Sequence, residues 1–405
     1  MLSGKKIGLF ITGGIAAYKM AELSRQFIKK GAQVRVVMSK SACEFITPLT
    51  MQTLTKQPVL VDVFDETDPQ IVQHVHLADW CDYVVVAPAS ANIIAKMAQG
   101  IADEIVSTTL LAVHCPRLIV PAMNSNMYMN PATQRNLVQL TADGYEVMTP
   151  DTGFLAEGYS GIGRLPELPA IVEHLEWLIA KSTLPQVLTG KNVVISAGGT
   201  RERIDPVRYI TNDSTGKMGY AMARAARNLG ANVTLISTAT QLPIPQGVDV
   251  HYVASAQEML EAMTQQLTQQ DIFVMTAAVS DYRVAEIATQ KIKKQAAQQG
   301  LQLNLIENPD ILAYLGHHKQ DGQLVIGFAA ETQDVENYAK KKLTKKQADW
   351  IIANDVSRKD IGFNSDANQV TLISQHHEPI ALPMADKLSL SHSIWQTIMA
   401  NEVAK

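Results

Sequence analysis

Ile7-Gly8-Leu9-Phe10-Ile11-Thr12-Gly13-Gly14 opens on an apolar run and closes on two glycines. Such a run reads as a short strand buried on both faces, and the glycines permit the sharp turn that follows it. A helical stretch then runs from about residue 15 to 30 and stops at Gly31, and residues 34–38 form another strand. That is one βαβ unit. The arrangement recurs at Val193-Val194-Ile195-Ser196-Ala197-Gly198-Gly199-Thr200. After an insertion come a helix over 219–229, a stop at Gly230 and a strand over 233–237. Two such openings predict an α/β protein of two doubly wound, Rossmann-like domains.

Ile171, Val172, Leu175, Leu178 and Ile179 repeat at helical spacing and mark the last helix of the first half. A polar, proline-containing stretch over 181–190 leads into the second opening. The junction therefore falls near 182–189, with domains over 1–182 and 190–405. Further strands are expected at 83–87 and 117–121 in the first half, and at 272–276, 324–328 and 350–353 in the second. Ligands of open α/β sheets gather at the carboxyl ends of strands. Pro88-Ala89-Ser90-Ala91-Asn92, Ala122-Met123-Asn124 and residues 277–281 sit at those ends.

The 405 residues are 46% hydrophobic and 18% charged with a net charge of −4, an ordinary globular balance that invites neither nucleic acid nor an anionic membrane. Cys43, Cys81 and Cys115 lie far apart without C-x-x-C spacing, so they read as buried thiols of a reducing compartment. No run reaches transmembrane length and the opening lacks a signal-peptide core. The expectation is a cytoplasmic protein with small-molecule partners.

Thr12-Gly13-Gly14 at a strand–helix junction can offer backbone amides to a phosphate, or be only a tight turn. Ser39, past the second strand, can add a hydroxyl. His74 and His76 bracket Val75, and alternation would place both on one face; a solvated or packed histidine is the plainer reading. Asn124 can cap a turn. The glycine-rich segment 158–164 reads as a flap over a substrate or as a surface loop.

In combination these segments resemble the flavin-binding cysteine decarboxylases over essentially all of residues 1–180. The resemblance rests on Thr12 to Lys19, His74, Ala87 to Asn92, Pro121-Ala122-Met123-Asn124 with Met127, and Gly161-Ile162-Gly163-Arg164. It implies a flavodoxin-like domain holding FMN on Thr12, Gly13, Gly14, Ile15, Ser39, Pro88, Ala89, Ser90 and Asn92, with the flavin between subunits of a trimer. The implied substrate is 4′-phosphopantothenoylcysteine. Its thiol-bearing carbon gives a hydride to FMN, and the thioaldehyde formed is an electron sink for the charge left by departing CO2. The enethiol is then protonated and takes the hydride back. His74 matches the family's catalytic histidine and Asn124 its carboxylate-binding asparagine. Many relatives carry a proton-donating cysteine in the flap; Glu157 stands at that position here, the candidate donor if its carboxyl is protonated. Tyr128 replaces a frequent tryptophan. Rival readings are a flavin prenyltransferase and an FMN module of altered or lost decarboxylase activity.

In the second half, residues 205–219 are dense in polar groups just before a helix, and Lys217 adds a point charge suited to an anion. The Walker spacing is absent. Lys291, Lys293 and Lys294 form one basic cluster. Lys340, Lys341, Lys342, Lys345 and Lys346 form another, in which Lys342 and Lys346, four apart on a helix, can reach one ligand. Such runs are usually solvated faces; a triphosphate is the ligand that would draw them together.

Together with 197–202, 277–282, Asn308-Pro309-Asp310-Ile311, residues 327–332, Ala353-Asn354-Asp355 and Gly362-Phe363-Asn364-Ser365, these segments resemble the bacterial phosphopantothenate–cysteine ligases over about 190–370. The two halves in this order resemble the bacterial bifunctional decarboxylase/ligase. That resemblance implies 4′-phosphopantothenate, cysteine and CTP as substrates, with Mg²⁺, metal ligands unassigned. It implies CTP contacts at Met275, Thr276, Ala277, Asp281, Lys291, Pro309, Asp310, Ile311, Leu312, Phe328, Lys342 and Lys346. The substrate carboxylate attacks the α-phosphate, and cysteine's amine displaces CMP from the acyl-cytidylate; Asn212 matches the asparagine needed for that turnover. Gly199 stands where proline is common. A dimeric ligase joined to a trimeric decarboxylase implies a homo-oligomer, a dodecamer. A general nucleotide-binding domain is the plainer alternative for this half.

Overall fold

The computed structural model describes residues 1–65, 70–293, 300–331, 335–355 and 366–403. Its chain divides into two units, Met1–Thr183 and Leu184–Lys405.

The first unit is built on a six-stranded parallel sheet of β1 (Lys6–Ile11), β2 (Gln33–Met38), β3 (Val59–Leu60), β4 (Tyr83–Ala89), β5 (Arg117–Pro121) and β6 (Glu146–Val147), in the order β3-β2-β1-β4-β5-β6. β4 is buried at all seven positions, as its continuous apolar run requires of a strand covered on both faces. Ile7, Leu9, Ile11, Val85 and Val120 lie in one core cluster, and Phe10, Val84, Val86 and Ile119 in another. The strand order reverses between β1 and β4, which opens a crevice at their carboxyl ends.

The helix expected from residue 15 is a 3₁₀ turn over Ile15–Lys19 that passes into an α-helix over Met20–Lys29. His74 and His76 belong to a helix, Gln73–Trp80, and not to an alternating strand. Two positions apart on a helix they point to nearly opposite sides, so the shared face is ruled out. Residues 158–164 are no loose loop either. Strand β8 (Ser160–Arg164) pairs antiparallel with β7 (Asp151–Phe154), and the last helix of the unit follows over Leu168–Thr183.

The second unit repeats the plan. Its strands are β9 (Asn192–Ala197), β10 (Arg201–Arg203), β11 (Tyr209–Thr211), β12 (Asn232–Ser237), β13 (Val248–Tyr252), β14 (Ile272–Met275), β15 (Tyr282–Val284), β16 (Leu305–Glu307), β17 (Leu324–Glu331), β18 (Trp350–Asp355), β19 (Ala367–Ser374) and β20 (Ile380–Asp386). The main sheet runs β13-β12-β9-β14-β17-β18-β19-β20, parallel up to β18 and antiparallel beyond it. Its order reverses between β9 and β14. The helix Lys217–Asn228 ends at Leu229, and Gly230 follows at φ 99. Hairpins β10–β11 and β15–β16 stand outside the main sheet. Leu188 is buried in this unit's core, its amide bonded to Leu229 O at 2.9 Å.

Candidate active sites

At the first crevice the loops after β1 and β4 are fastened by one side chain. The Thr12 hydroxyl donates to Pro88 O at 2.6 Å and accepts from Ser90 N at 3.0 Å. Buried Thr12 therefore ties the Gly13-Gly14 turn to the Pro88–Asn92 segment. A Cβ at Gly13 would lie 2.5 Å from that of Ser41, so only glycine lets the turn come so close to the segment after Ser39. Ser39 and Ser90 cap the helices Lys40–Cys43 and Ala91–Gln99, accepting from Ala42 N at 3.1 Å and Ile93 N at 3.3 Å. Ile15 is 57% exposed and Asn92 is exposed as well. Backbone amides, capping hydroxyls and an exposed apolar side chain at a switch point suit a ligand with a phosphate and a flat ring.

Asn124 caps the short helix Ser125–Met129, its Oδ1 accepting from Asn126 N at 2.8 Å. Its amide Nδ2 donates to Glu157 Oε1 at 2.9 Å and to the Tyr159 phenol oxygen at 2.8 Å. The β7–β8 hairpin is anchored beside it by Met123 N to Gly163 O at 2.9 Å and by the Ser125 hydroxyl to Ile162 O at 2.6 Å. Gly163, at φ 123, has no room for a side chain against Met123 O. The flap is thus seated on the asparagine loop. His74 stands apart. Its Nδ1 is buried without a hydrogen-bond partner, and no described bond joins it to the Asn124 cluster.

In the second unit a cavity of about 640 Å³ opens at the β9/β14 switch point. Among its walls are Asn212, Lys217, Met275, Thr276, Ala277, Asp281, Pro309, Asp310, Ile311, Leu312, Phe328, Lys342 and Lys346. Lys291 is not on this wall. It is exposed, next to Ile292, whose amide donates to Asp205 Oδ2 at 3.1 Å and whose carbonyl accepts from Arg208 at 2.9 Å. Lys294, Thr332 and residues 362–365, singled out in the sequence, lie outside the described residues.

Asn212 Nδ2 donates to Ala278 O and Val279 O, at 3.2 and 3.4 Å, which holds it against the loop after β14. Gly199 pairs with Ala278 as an isolated bridge, and a Cβ there would come within 2.7 Å of Asn212 O. The glycine is therefore a close-approach position. Asp205, fully buried, accepts from Arg208 Nε at 3.0 Å and from the amides of Val207, Arg208 and Ile292. The Arg208 guanidinium holds its carboxyl far below the usual range.

Lys342 Nζ donates to Phe328 O at 3.2 Å, and Lys346 pairs with Asp310, which also caps the helix Ile311–His318 through Ala313 N at 3.0 Å. Burial lowers the Lys346 ammonium pKa, against the pull of Asp281. Among the polar wall residues that sequence reasoning gave no role are Ser280, Asn354, Asn368 and Lys387. Ser280 Oγ and Asn354 Oδ1 are buried without hydrogen-bond partners, and burial lowers the pKa of Lys387. Ser280 and Asn354 lay in quoted motifs; Lys387, at the head of the final helix, carried no local signal.

The family model described as Flavoprotein matches residues 1–179, and the DNA/pantothenate metabolism flavoprotein C-terminal domain matches 188–401. The coenzyme A biosynthesis bifunctional protein CoaBC of Bacillus subtilis is 46% identical over 99% of this chain and 98% of its own. The protein of that name from Vibrio parahaemolyticus is 48% identical over 97% of both chains. That from Escherichia coli is 44% identical over 98% of this chain and 97% of its own.

Proposed function

This chain belongs to the family of bifunctional coenzyme A biosynthesis proteins, with a flavoprotein decarboxylase half and a ligase half; from that premise we propose that the second unit joins cysteine to 4′-phosphopantothenate using CTP, and that the first decarboxylates the product to 4′-phosphopantetheine using FMN.

The ligase reading is carried by the 640 Å³ cavity, where Lys217, Lys342 and Lys346 share a wall with Asn212, Ser280 and Asn354. Lys217 pairs with Asp366 at 2.7 Å and Lys346 with Asp310; a triphosphate would compete for those ammonium groups, and their convergence would stabilise the departing pyrophosphate as the substrate carboxylate attacks the α-phosphate. The acyl-cytidylate replaces an oxide leaving group by a phosphate. Asn212 is proposed to hold it while cysteine's amine displaces CMP. Met275 to Ala277, Asp281, Pro309 to Leu312 and Phe328 are proposed as further CTP contacts. Lys291 is proposed on its sequence motif alone. Mg²⁺ is proposed to arrive on the triphosphate, as magnesium usually does. The wall's carboxylates are Asp281, Glu307 and Asp310.

For the decarboxylase, Thr12 to Ile15, Ser39 and Pro88, Ala89, Ser90 and Asn92 are proposed to hold FMN, which supplies a hydride acceptor and later returns the hydride. Asn124 would bind the substrate carboxylate through Nδ2, and His74 would assist the first proton removal. The closing proton would come from the flap, where Glu157 stands at the family's cysteine position. The proposed assembly combines trimeric contacts of the first unit with dimeric contacts of the second into a dodecamer.

The test is mass spectrometry of products from flavin-loaded protein given 4′-phosphopantothenate, cysteine, Mg²⁺ and either CTP or ATP. Phosphopantetheine with CMP, formed only with CTP, is expected. Equal yield with ATP would overturn the nucleotide assignment, and release of pyrophosphate without amide formation would overturn the ligase chemistry.

A further inference from the structure

The flap presents two side chains to Asn124, and the hydrogen bonds give them different roles. Nδ2 of Asn124 has two hydrogens; one goes to Glu157 Oε1 and the other to the Tyr159 oxygen. Glu157 is met as an acceptor. Tyr159 also accepts, which leaves its own O–H uncommitted among the described residues, and the residue is 41% exposed. A phenol with an uncommitted O–H can donate, whereas a carboxylate oxygen met by an N–H serves as acceptor.

Resting on the decarboxylase reading above, we infer that Tyr159 protonates the enethiol and that Glu157 is a positioning residue. While substrate is bound, its carboxylate occupies the Asn124 amide. Once CO2 has left, that donor is free, and the Glu157 carboxylate takes the place of the one that departed. With β8 already anchored at Ile162 and Gly163, the hairpin turn seats, and Tyr159, two residues on, comes with it. In the step itself the sulfur lone pair forms a C=S bond, and the carbon–carbon π pair takes the proton at the carbon that lost CO2. The O–H bonding pair stays on the phenolate, which solvent reprotonates. The hydride removed in the first step then returns to the sulfur-bearing carbon.

The experiment follows phosphopantothenoylcysteine on flavin-loaded full-length protein by CO2 release and by product mass, with hydrogen exchange of residues 155–163 in the presence of product. Y159F is expected to release CO2 but to accumulate the product lacking two hydrogens, with reduced product down about 100-fold or more. E157A is expected to lose flap protection and accumulate the same species, and E157Q, which still offers an acceptor to Asn124, to restore both. Fully reduced product from Y159F at the wild-type rate would overturn the inference, as would failure of E157Q to rescue E157A. Wild-type protein that releases no CO2 would instead overturn the decarboxylase reading, and this assignment with it.

Discussion

Lys346 shows how one position serves fold and chemistry together. Its ammonium pairs with Asp310, the residue that also caps the helix beside the cavity, and burial weakens its hold on the proton. A triphosphate restores what burial removes, so the charge is worth more with ligand than without. Lys346→Met is expected to raise the KM for CTP about 10- to 100-fold, from about 1.5–3 kcal/mol for a charged hydrogen bond, in a pyrophosphate-release assay. An unchanged KM would remove Lys346 from the nucleotide site. Gly219 acts by lacking a side chain. A Cβ there would lie 2.5 Å from Ala197 Cβ and from Thr276 Oγ1, so Gly219→Ala should push the helix Lys217–Asn228 off the ends of β9 and β14. Overpacking of this kind costs about 1–3 kcal/mol. Urea titration should show that loss, and CTP binding should weaken in parallel; a fully stable variant would mean that the helix adjusts freely.

At the scale of elements, β6 and the helix Leu168–Thr183 are joined by charge. Glu146 is bonded to His174 at 3.2 Å and to Lys181 at 3.0 Å, and the His174 and Lys181 hydrogen bonds lower its pKa to about 2. A carboxylate depressed in the folded state adds stability above its unfolded pKa near 4.5, and that stability is lost as pH falls toward 2. The contribution should be roughly 1–2 kcal/mol after allowing for solvent around the pair. Denaturant midpoints should therefore fall between pH 4.5 and 2 in the parent, and fall less in Glu146→Gln. The sequence revealed the strands of the parallel sheets because their apolar runs are unbroken: the reading of 7–11, 34–38, 117–121 and 233–237 lies within a residue of the structure. The flap hairpin was hidden because Ser160 to Arg164 has no apolar alternation, and its pairing with Asp151–Phe154 depends on glycines packed against Met123 and Ser125. The two-histidine face failed for a related reason, since Gln73–Trp80 is too short and too polar for its period to show. The cavity was legible through its motifs. Asn368 and Lys387 were not, because tertiary packing brings them to the wall.

For the whole molecule, the distribution of apolar side chains decides how far the halves depend on each other. The two core clusters of the first unit draw on residues between Leu2 and Ile179, and the two of the second on residues between Leu184 and Met399. Among the described residues, none of the four crosses the division after Thr183. Each sheet also carries its own switch-point crevice, so neither site needs a strand from the other half. Chains of roughly this size bury enough surface to fold alone. Residues 1–183 and 184–405, made separately, are therefore expected to be folded, each with a cooperative denaturant transition. The second piece should convert 4′-phosphopantothenate, cysteine and CTP to phosphopantothenoylcysteine, and the flavin-loaded first piece should decarboxylate that product when the two are mixed. Light scattering should then find trimers of the first piece and dimers of the second, against about twelve chain masses for the intact protein. Active pieces that are monomeric would separate the chemistry from the assembly and remove the proposed dodecamer. A first piece that folds but needs the second for turnover would show that its site is completed from outside the unit, a dependence that its closed cores and its own crevice argue against.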